Sequence, residues 1–129
     1  MTKLTAQEEE VMIAIWETGE GHIKLFMEKM QNPGPYTTIA STVKNIEKKG
    51  YITSKLYGNV YVYKPAISRE EYKKMFMGNV VKNYFSNSYK ELVSFFVDQK
   101  KLSSKELKEI MEMIDKGSKK LPKSSGGEL

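Results

Sequence analysis

The length, composition and charge of the chain exclude several classes of protein. Its 129 residues suffice for one domain or two small ones that share a core, and 40% hydrophobic with 29% charged residues is typical of a soluble globular protein. With no cysteine, one histidine and a net charge of +5, the chain lacks the side chains for disulfides, thiol nucleophiles, His-based triads and multi-histidine metal sites, so we expect no catalytic site, metal or cofactor.

The chain begins MTKLTAQEEE, which turns acidic at once and contains no apolar signal region. Elsewhere no uninterrupted apolar segment reaches the roughly 20 residues that a membrane helix requires. The lack of cysteine fits a reducing compartment. We therefore expect a cytoplasmic protein with no membrane insertion.

Two helices are predicted in the first 30 residues. Thr5 followed by Glu8 is a capping-box signature, and apolar residues then recur at helical spacing as far as Trp16. Gly19–Gly21 should end this helix. A second helix is expected over roughly residues 23–30, where Ile, Phe and Met side chains share one face.

A third helix follows a strong breaker, Asn32-Pro33-Gly34-Pro35. It is predicted to start near Tyr36 or Thr37 and to end at Lys49, with Gly50 as its stop signal.

Two short runs of β-branched and aromatic residues, 51–57 and 60–63, flank the pair Gly58-Asn59, and Pro65 closes the segment. This pattern predicts a β-hairpin. Three helices and a hairpin in about 65 residues is the layout of a winged helix-turn-helix, whose third helix can enter a DNA groove.

The second half of the chain is predicted to be helical. A capping box at Ser68 and Glu71 opens a long helix, Asn87-Ser88 interrupts it, and a short apolar segment occupies residues 92–97. Another capping signal at residues 102–106 opens the last helix. We expect a mainly α fold with a small β-hairpin: a winged-helix domain over 1–67, a helical dimerisation domain over 68–116 and a disordered tail over 117–129.

Helices of this size, taken alone, form a poor independent core. Their apolar side chains therefore predict an extensive homodimer; the alternative is that the aromatic residues pack back on the N-terminal domain. The residues predicted for dimerisation are Tyr72, Phe76, Tyr84, Phe85, Leu92, Phe95, Phe96, Leu107, Ile110 and Ile114.

Charge is unevenly distributed between the two parts of the N-terminal domain. Residues 1–35 hold three Lys against six Glu, a balance of −3, whereas residues 36–64 hold five Lys against one Glu, a balance of +4. An anionic partner explains this excess, and a solvated face that happens to be lysine-rich explains it equally well.

The outer face of the third helix carries hydroxyl and ammonium groups. At about 100° per residue, Ile39, Val43 and Ile46 form one stripe, and the residues opposite are polar. Short hydroxyl side chains let a helix approach base edges, while lysines suit phosphates; the alternative is that Thr37 or Thr38 caps the helix. The predicted DNA-binding residues are Tyr36, Thr37, Thr38, Ser41, Lys44, Asn45 and Lys48 in the helix, and Lys55, Tyr57, Asn59 and Tyr61 in the hairpin.

Four segments, LTAQEEEVMIAIW, PYTTIASTVKNIEKKGYI, GNVYVYKPAISREEY and ELVSFFVDQKKLSSKEL, resemble the BlaI/MecI penicillinase-repressor family from Leu4 to about Asp115. The resemblance implies a homodimeric winged-helix repressor that binds a palindromic operator with TACA/TGTA-type half-sites in double-stranded DNA. It places Thr37, Thr38, Ser41 and Lys44 on the recognition helix and the turn between Tyr57 and Tyr61 on the wing.

Two departures from the family pattern bear on induction and on the wing. In the antibiotic-resistance branch, where a membrane sensor-protease is implied, induction requires cleavage at an Asn-Phe bond; the corresponding bond here is Phe95-Phe96. Asn59 stands where many members carry a wing arginine. The copper-responsive branch uses C-terminal cysteine pairs, which this chain lacks.

A second hypothesis is a winged-helix protein-interaction module without sequence-specific DNA binding, with the Tyr-rich hairpin as its anchor. An enzyme is not expected, because the consecutive Glu8-Glu9-Glu10 point in different directions on a helix and cannot converge on one substrate.

Overall fold

The computed structural model describes residues 2–117, and the predicted tail lies outside them from residue 118 onward. The fold class is as predicted: mostly helical, with one two-stranded antiparallel hairpin. The elements are α1 (Ala6–Thr18), α2 (Ile23–Glu28), α3 (Tyr36–Lys48), β1 (Ile52–Tyr57), β2 (Val60–Pro65), α4 (Arg69–Tyr84), α5 (Tyr89–Asp98) and α6 (Ser104–Asp115).

The predicted helix boundaries are confirmed where a local signal sets them. Thr5 and Glu8 form the capping box of α1, and α1 gives way to Gly19, which has a positive φ of 89°. Gly50 has the same φ just after α3. A left-handed residue of this kind suits glycine, since it has no Cβ to clash.

The hairpin turn is also set by local chemistry. Gly58 has a φ of 60°, and a positive φ at the first central position is what a two-residue type II′ turn requires. β1 and β2 pair in register from Ile52 opposite Pro65 to Tyr57 opposite Val60. The predicted hairpin is therefore confirmed, and β2 extends to Pro65.

One hydrophobic core joins the three N-terminal helices to the base of the hairpin. The predicted stripe of α3 is buried, with Ile39, Val43 and Ile46 at 1% exposure or less. Trp16 borders this core and donates a hydrogen bond from Nε1 to the carbonyl oxygen of Ile67 at 2.9 Å. This bond fixes the segment between β2 and α4 against α1.

The chain divides into two compact units between Phe76 and Met77, inside α4. The division falls later than the predicted domain boundary at residue 67, because the first turns of α4 pack on the N-terminal core. Tyr72 is the residue responsible: its ring lies 5.5 Å from that of Trp16 and 5.7 Å from that of Tyr51.

The second unit buries much less of its apolar surface. Among residues 77–117 only Val81 is buried, and α5 and α6 contain no buried residue. Phe85, Phe95 and Phe96 form a small aromatic cluster with ring centroids 5.4 and 5.6 Å apart.

Within residues 2–117 no helix combines the length and the apolar character needed to cross a membrane.

Candidate nucleic-acid interface

The outer face of α3 is open to solvent along its whole length. The seven predicted helix residues, Tyr36, Thr37, Thr38, Ser41, Lys44, Asn45 and Lys48, are all exposed. The buried stripe below them fixes which face is outward, because it packs against α1 and α2. Hydroxyl groups near the start of the helix and ammonium groups nearer its end are thus presented on one surface.

The capping alternative for the threonines does not hold. The residue that precedes α3 and acts as its N-cap is Pro35, and no side chain caps the helix. The threonine that uses its hydroxyl internally is Thr42, which is buried and donates to the carbonyl oxygen of Thr38 at 2.9 Å. Thr37 and Thr38 therefore present their side chains on the exposed face.

The lysines of α3 and its flank lie in two different environments. Lys44 and Lys48 are exposed, whereas Lys49 forms an ion pair with Glu8 and donates to the carbonyl oxygen of Lys3 at 3.1 Å. Lys49 therefore anchors α3 to α1 and the N-terminal segment. The sequence could not separate this lysine from the other two, because its partner lies 41 residues away.

The ion pair also affects the acidity of Glu8. Burial raises the pKa of this carboxyl group, but the hydrogen bond from Lys49 and those from Thr5 outweigh burial and lower the pKa overall. The carboxylate is consequently charged at neutral pH, and the pair holds the end of α3 in place.

The predicted hairpin residues are exposed on both faces of the wing. Lys55, Tyr57, Asn59 and Tyr61 are all exposed, and the ammonium group of Lys55 lies 5.6 Å from the centre of the Tyr57 ring. That distance is within the range of a cation–π contact. Lys55 and Tyr57 therefore lie side by side on one exposed face of β1.

A surface cleft of about 360 Å³ lies between the start of α3 and the tip of the hairpin. It brings together Tyr36, Asn59 and Tyr61, which sequence reasoning had named separately. It also includes His22 and Lys24, which are not among the predicted DNA-binding residues. Their proximity to Tyr61 depends on long-range packing and has no signature in local sequence.

Tyr72 differs from the other residues predicted for dimerisation. It is 7% exposed, its hydroxyl donates to Glu9 at 2.7 Å, and burial together with this hydrogen bond raises its pKa. Tyr72 is therefore a core residue of the first unit and not part of an open apolar surface. The alternative reading, in which aromatic residues pack on the N-terminal domain, holds for this one residue.

The remaining residues predicted for dimerisation keep much of their surface open. Three are half-buried, Phe85, Leu92 and Leu107, and six are exposed, Phe76, Tyr84, Phe95, Phe96, Ile110 and Ile114.

Several known proteins are similar to this chain over most of its length. It is 23% identical over 116 residues to the methicillin resistance regulatory protein MecI of Mammaliicoccus sciuri and to that of Staphylococcus aureus strain N315, in each case covering 88% of this chain and 94% of the relative. It is 21% identical over 115 residues to the penicillinase repressor of Bacillus licheniformis, covering 88% and 90%. The penicillinase repressor family matches residues 4–116. The chain therefore belongs to the penicillinase repressor family, a family of DNA-binding transcriptional repressors.

Proposed function

We propose that this protein is a homodimeric, sequence-specific repressor that binds a palindromic operator with TACA/TGTA-type half-sites. The observation that carries the proposal is the exposed face of α3, on which hydroxyl groups and two lysines lie opposite a fully buried stripe. The similarity to a penicillinase repressor supports it. Binding would place α3 in the major groove, where Thr and Ser read base edges and lysines contact phosphates.

A second copy of the chain is part of this proposal. α5 and α6 bury no residue within one chain, although Phe95, Phe96, Ile110 and Ile114 are large and apolar. Obligate homodimer interfaces resemble a domain core cut in half. A two-fold dimer would also present two copies of α3 to the two halves of a palindrome.

Fluorescence anisotropy with two labelled duplexes tests the function. One duplex carries the TACA/TGTA palindrome, and the other contains the same bases in scrambled order. We expect micromolar or tighter binding to the palindrome, with log K falling linearly as log salt rises, and weaker binding to the scrambled duplex. Equal affinity for both duplexes would contradict sequence-specific recognition.

Two variants separate the functions assigned to the α3 side chains. Thr38→Ala should change the preference among sequences, because it removes a group proposed to reach base edges. Lys48→Ala should weaken binding to all duplexes alike, because it removes a phosphate contact.

A protein-interaction module is the second candidate, and the apolar tip of the hairpin favours it. Leu56, Tyr57, Val60 and Tyr61 are all large and exposed, and an exposed apolar patch is typical of a protein-binding surface. This function would survive replacement of Lys44 and Lys48 by alanine but not Tyr61→Ala. The proposed repressor requires the lysines.

We also propose that a membrane sensor-protease, if it is the inducer, acts near Phe95-Phe96. This bond lies inside α5, so cleavage requires the helix to unwind locally first. Mass spectrometry of the chain after exposure to the induced cell membrane fraction would identify the cleaved bond. An intact α5 in fully induced cells would contradict proteolytic induction.

A further inference from the structure

Beyond the core packing of Ile52 at its base, the hairpin is hydrogen-bonded to the rest of the first unit at the rung of its ladder that carries Ser54 and Tyr63. Ser54 of β1 lies directly opposite Tyr63 of β2. The hydroxyl group of Ser54 donates to Oε2 of Glu47 in α3 at 2.6 Å. On the other strand, Tyr63 exchanges two backbone hydrogen bonds with Gly21, at 2.8 and 3.0 Å. One strand is thus tied to α3 and the other to the segment between α1 and α2.

The hairpin tip beyond this rung is largely open to solvent. The next three rungs run from Lys55 opposite Val62 to Tyr57 opposite Val60. The pair in the middle, Leu56 and Tyr61, is 52% and 54% exposed. A two-stranded hairpin is only marginally stable by itself. The rung that carries Ser54 and Tyr63 is the one nearest the tip with hydrogen bonds to the rest of the unit, so it contributes to the direction of the tip.

Glu47 is the single acidic residue of α3, and it precedes the exposed Lys48. Its side chain is half-buried and is turned toward β1 by the bond to Ser54. The negative charge of Glu47 also contributes, after burial, to raising the pKa of Tyr63, so the carboxylate lies close to both strands. A hydrogen bond to a carboxylate is stronger than one between neutral groups.

We propose that Glu47 and Ser54 are positioning residues that fix the angle between α3 and the hairpin tip, and thereby sharpen discrimination among DNA sequences. This inference rests on the proposed function. α3 and the tip must reach one duplex at the same time, so the angle between them selects the docking register. The same bond holds the carboxylate of Glu47 away from DNA phosphates, which it would repel.

The bond should affect specific binding more than general affinity. Lysine side chains are long and flexible, so contacts to phosphates tolerate a displaced wing. Short Thr and Ser side chains read base edges only when the helix is held to within about 0.5 Å of its place. Loss of the hydrogen bond between Ser54 and Glu47 should therefore lower the ratio of specific to non-specific affinity.

The test uses the full chain and the duplex that the parent protein selects from a random-sequence pool. A scrambled duplex of the same composition measures non-specific binding. Ser54→Ala should lower the ratio of the two affinities about tenfold while non-specific affinity stays within about twofold of the parent. Ser54→Thr keeps a hydroxyl group and should restore the ratio. Thr53→Ala, an exposed neighbour on the opposite face of β1, is the matched control and should leave it unchanged.

Two further measurements separate positioning from a general loss of structure. Glu47→Gln keeps an oxygen that accepts from Ser54, so the ratio should persist, and non-specific affinity should rise about twofold because a negative charge is lost. The double variant that combines Ser54→Ala with Lys55→Ala should lower the ratio of specific to non-specific affinity by less than the product of the two single-variant factors, since both residues act through the wing. Independent structural damage would give the full product.

The outcomes distinguish the two levels of the proposal. A parent protein that selects no sequence from the pool would overturn the proposed function and this inference with it. A parent that selects a sequence, together with a Ser54→Ala ratio equal to that of the parent, would overturn the inference alone. A loss in Glu47→Gln as large as that in Ser54→Ala would overturn it as well.

Discussion

The two units of the chain have amphipathic helices of the same kind but differ in what those helices bury. In the first unit, side chains such as Phe26, Ile39 and Val43 are at 1% exposure or less. In the second, α6 has a capping box as regular as that of α1, yet it contains no buried residue. An amphipathic sequence pattern predicts that a face will be buried, and does not specify which surface will cover it.

The largest expected effect compares two phenylalanines, one in each unit. Phe26→Ala should lower the free energy of unfolding of the first unit by about 3–5 kcal/mol, because it empties a filled core. Phe95→Ala, at 45% exposure, should lower the free energy of unfolding of the second unit by under about 1 kcal/mol at concentrations where the chain is monomeric. Urea denaturation measures both, followed by fluorescence of Trp16 for the first unit and by far-UV circular dichroism for the second. Equal losses would remove the distinction between the units.

A charged substitution on α6 tests whether a second copy of the chain covers the exposed apolar residues of this helix. Ile110→Glu should raise the dimer dissociation constant about 100-fold or more, because a carboxylate would be buried at the interface without a partner. Sedimentation equilibrium gives the constant. Lys108→Glu, on an exposed position of the same helix, is the control and should change it far less. A monomeric parent at high concentration would disprove the dimer.

The stability that the ion pair between Glu8 and Lys49 contributes to the first unit depends on pH, and this dependence provides a further comparison of the two units. Glu8→Gln should lower stability at pH 7 by about 2 kcal/mol, since it removes a partly buried charged hydrogen bond. The pKa of Glu8 is lowered in the folded state, so this stability is fully present above the ordinary carboxyl pKa and is lost as pH falls through the lowered value. The variant and the parent should therefore converge at low pH.

The matched change in the second unit is Glu106→Gln, which alters the exposed capping box of α6. It should have a smaller effect on stability at pH 7, because water screens an exposed carboxylate. A difference between Glu8→Gln and its parent that stays constant from pH 7 to pH 3 would contradict the assignment of the ion pair.

Most of the fold could be predicted from sequence because its signals are local. Helical spacing, capping boxes and glycine stops defined the helices, and the Gly58-Asn59 pair defined the hairpin turn. The compact units divide inside α4 and not at residue 67, because capping at Ser68 begins α4 but gives no information about what its first turns pack against. Tyr72 contacts Trp16 and Glu9 across more than 50 residues, and no short-range pattern encodes that contact.

The candidate interface likewise has features that can be predicted from the sequence and features that cannot. The exposed face of α3 follows from its period, since the buried stripe fixes the opposite side. The separation of Lys49 from Lys44 and Lys48, and the bond between Glu47 and Ser54, depend on tertiary contacts. For those residues, charge and exposure can be predicted from the sequence, but the bonding partners cannot.

The salt dependence of DNA binding by Lys48→Ala tests most directly whether the outer face of α3 contacts DNA. Two copies in a dimer would lose two phosphate contacts, so the slope of log K against log salt should become shallower by about 2. Lys105→Ala, which removes the same charge from the exposed face of α6, should keep the parent slope. A Lys48→Ala slope and affinity equal to those of the parent would show that this face of α3 does not bind DNA.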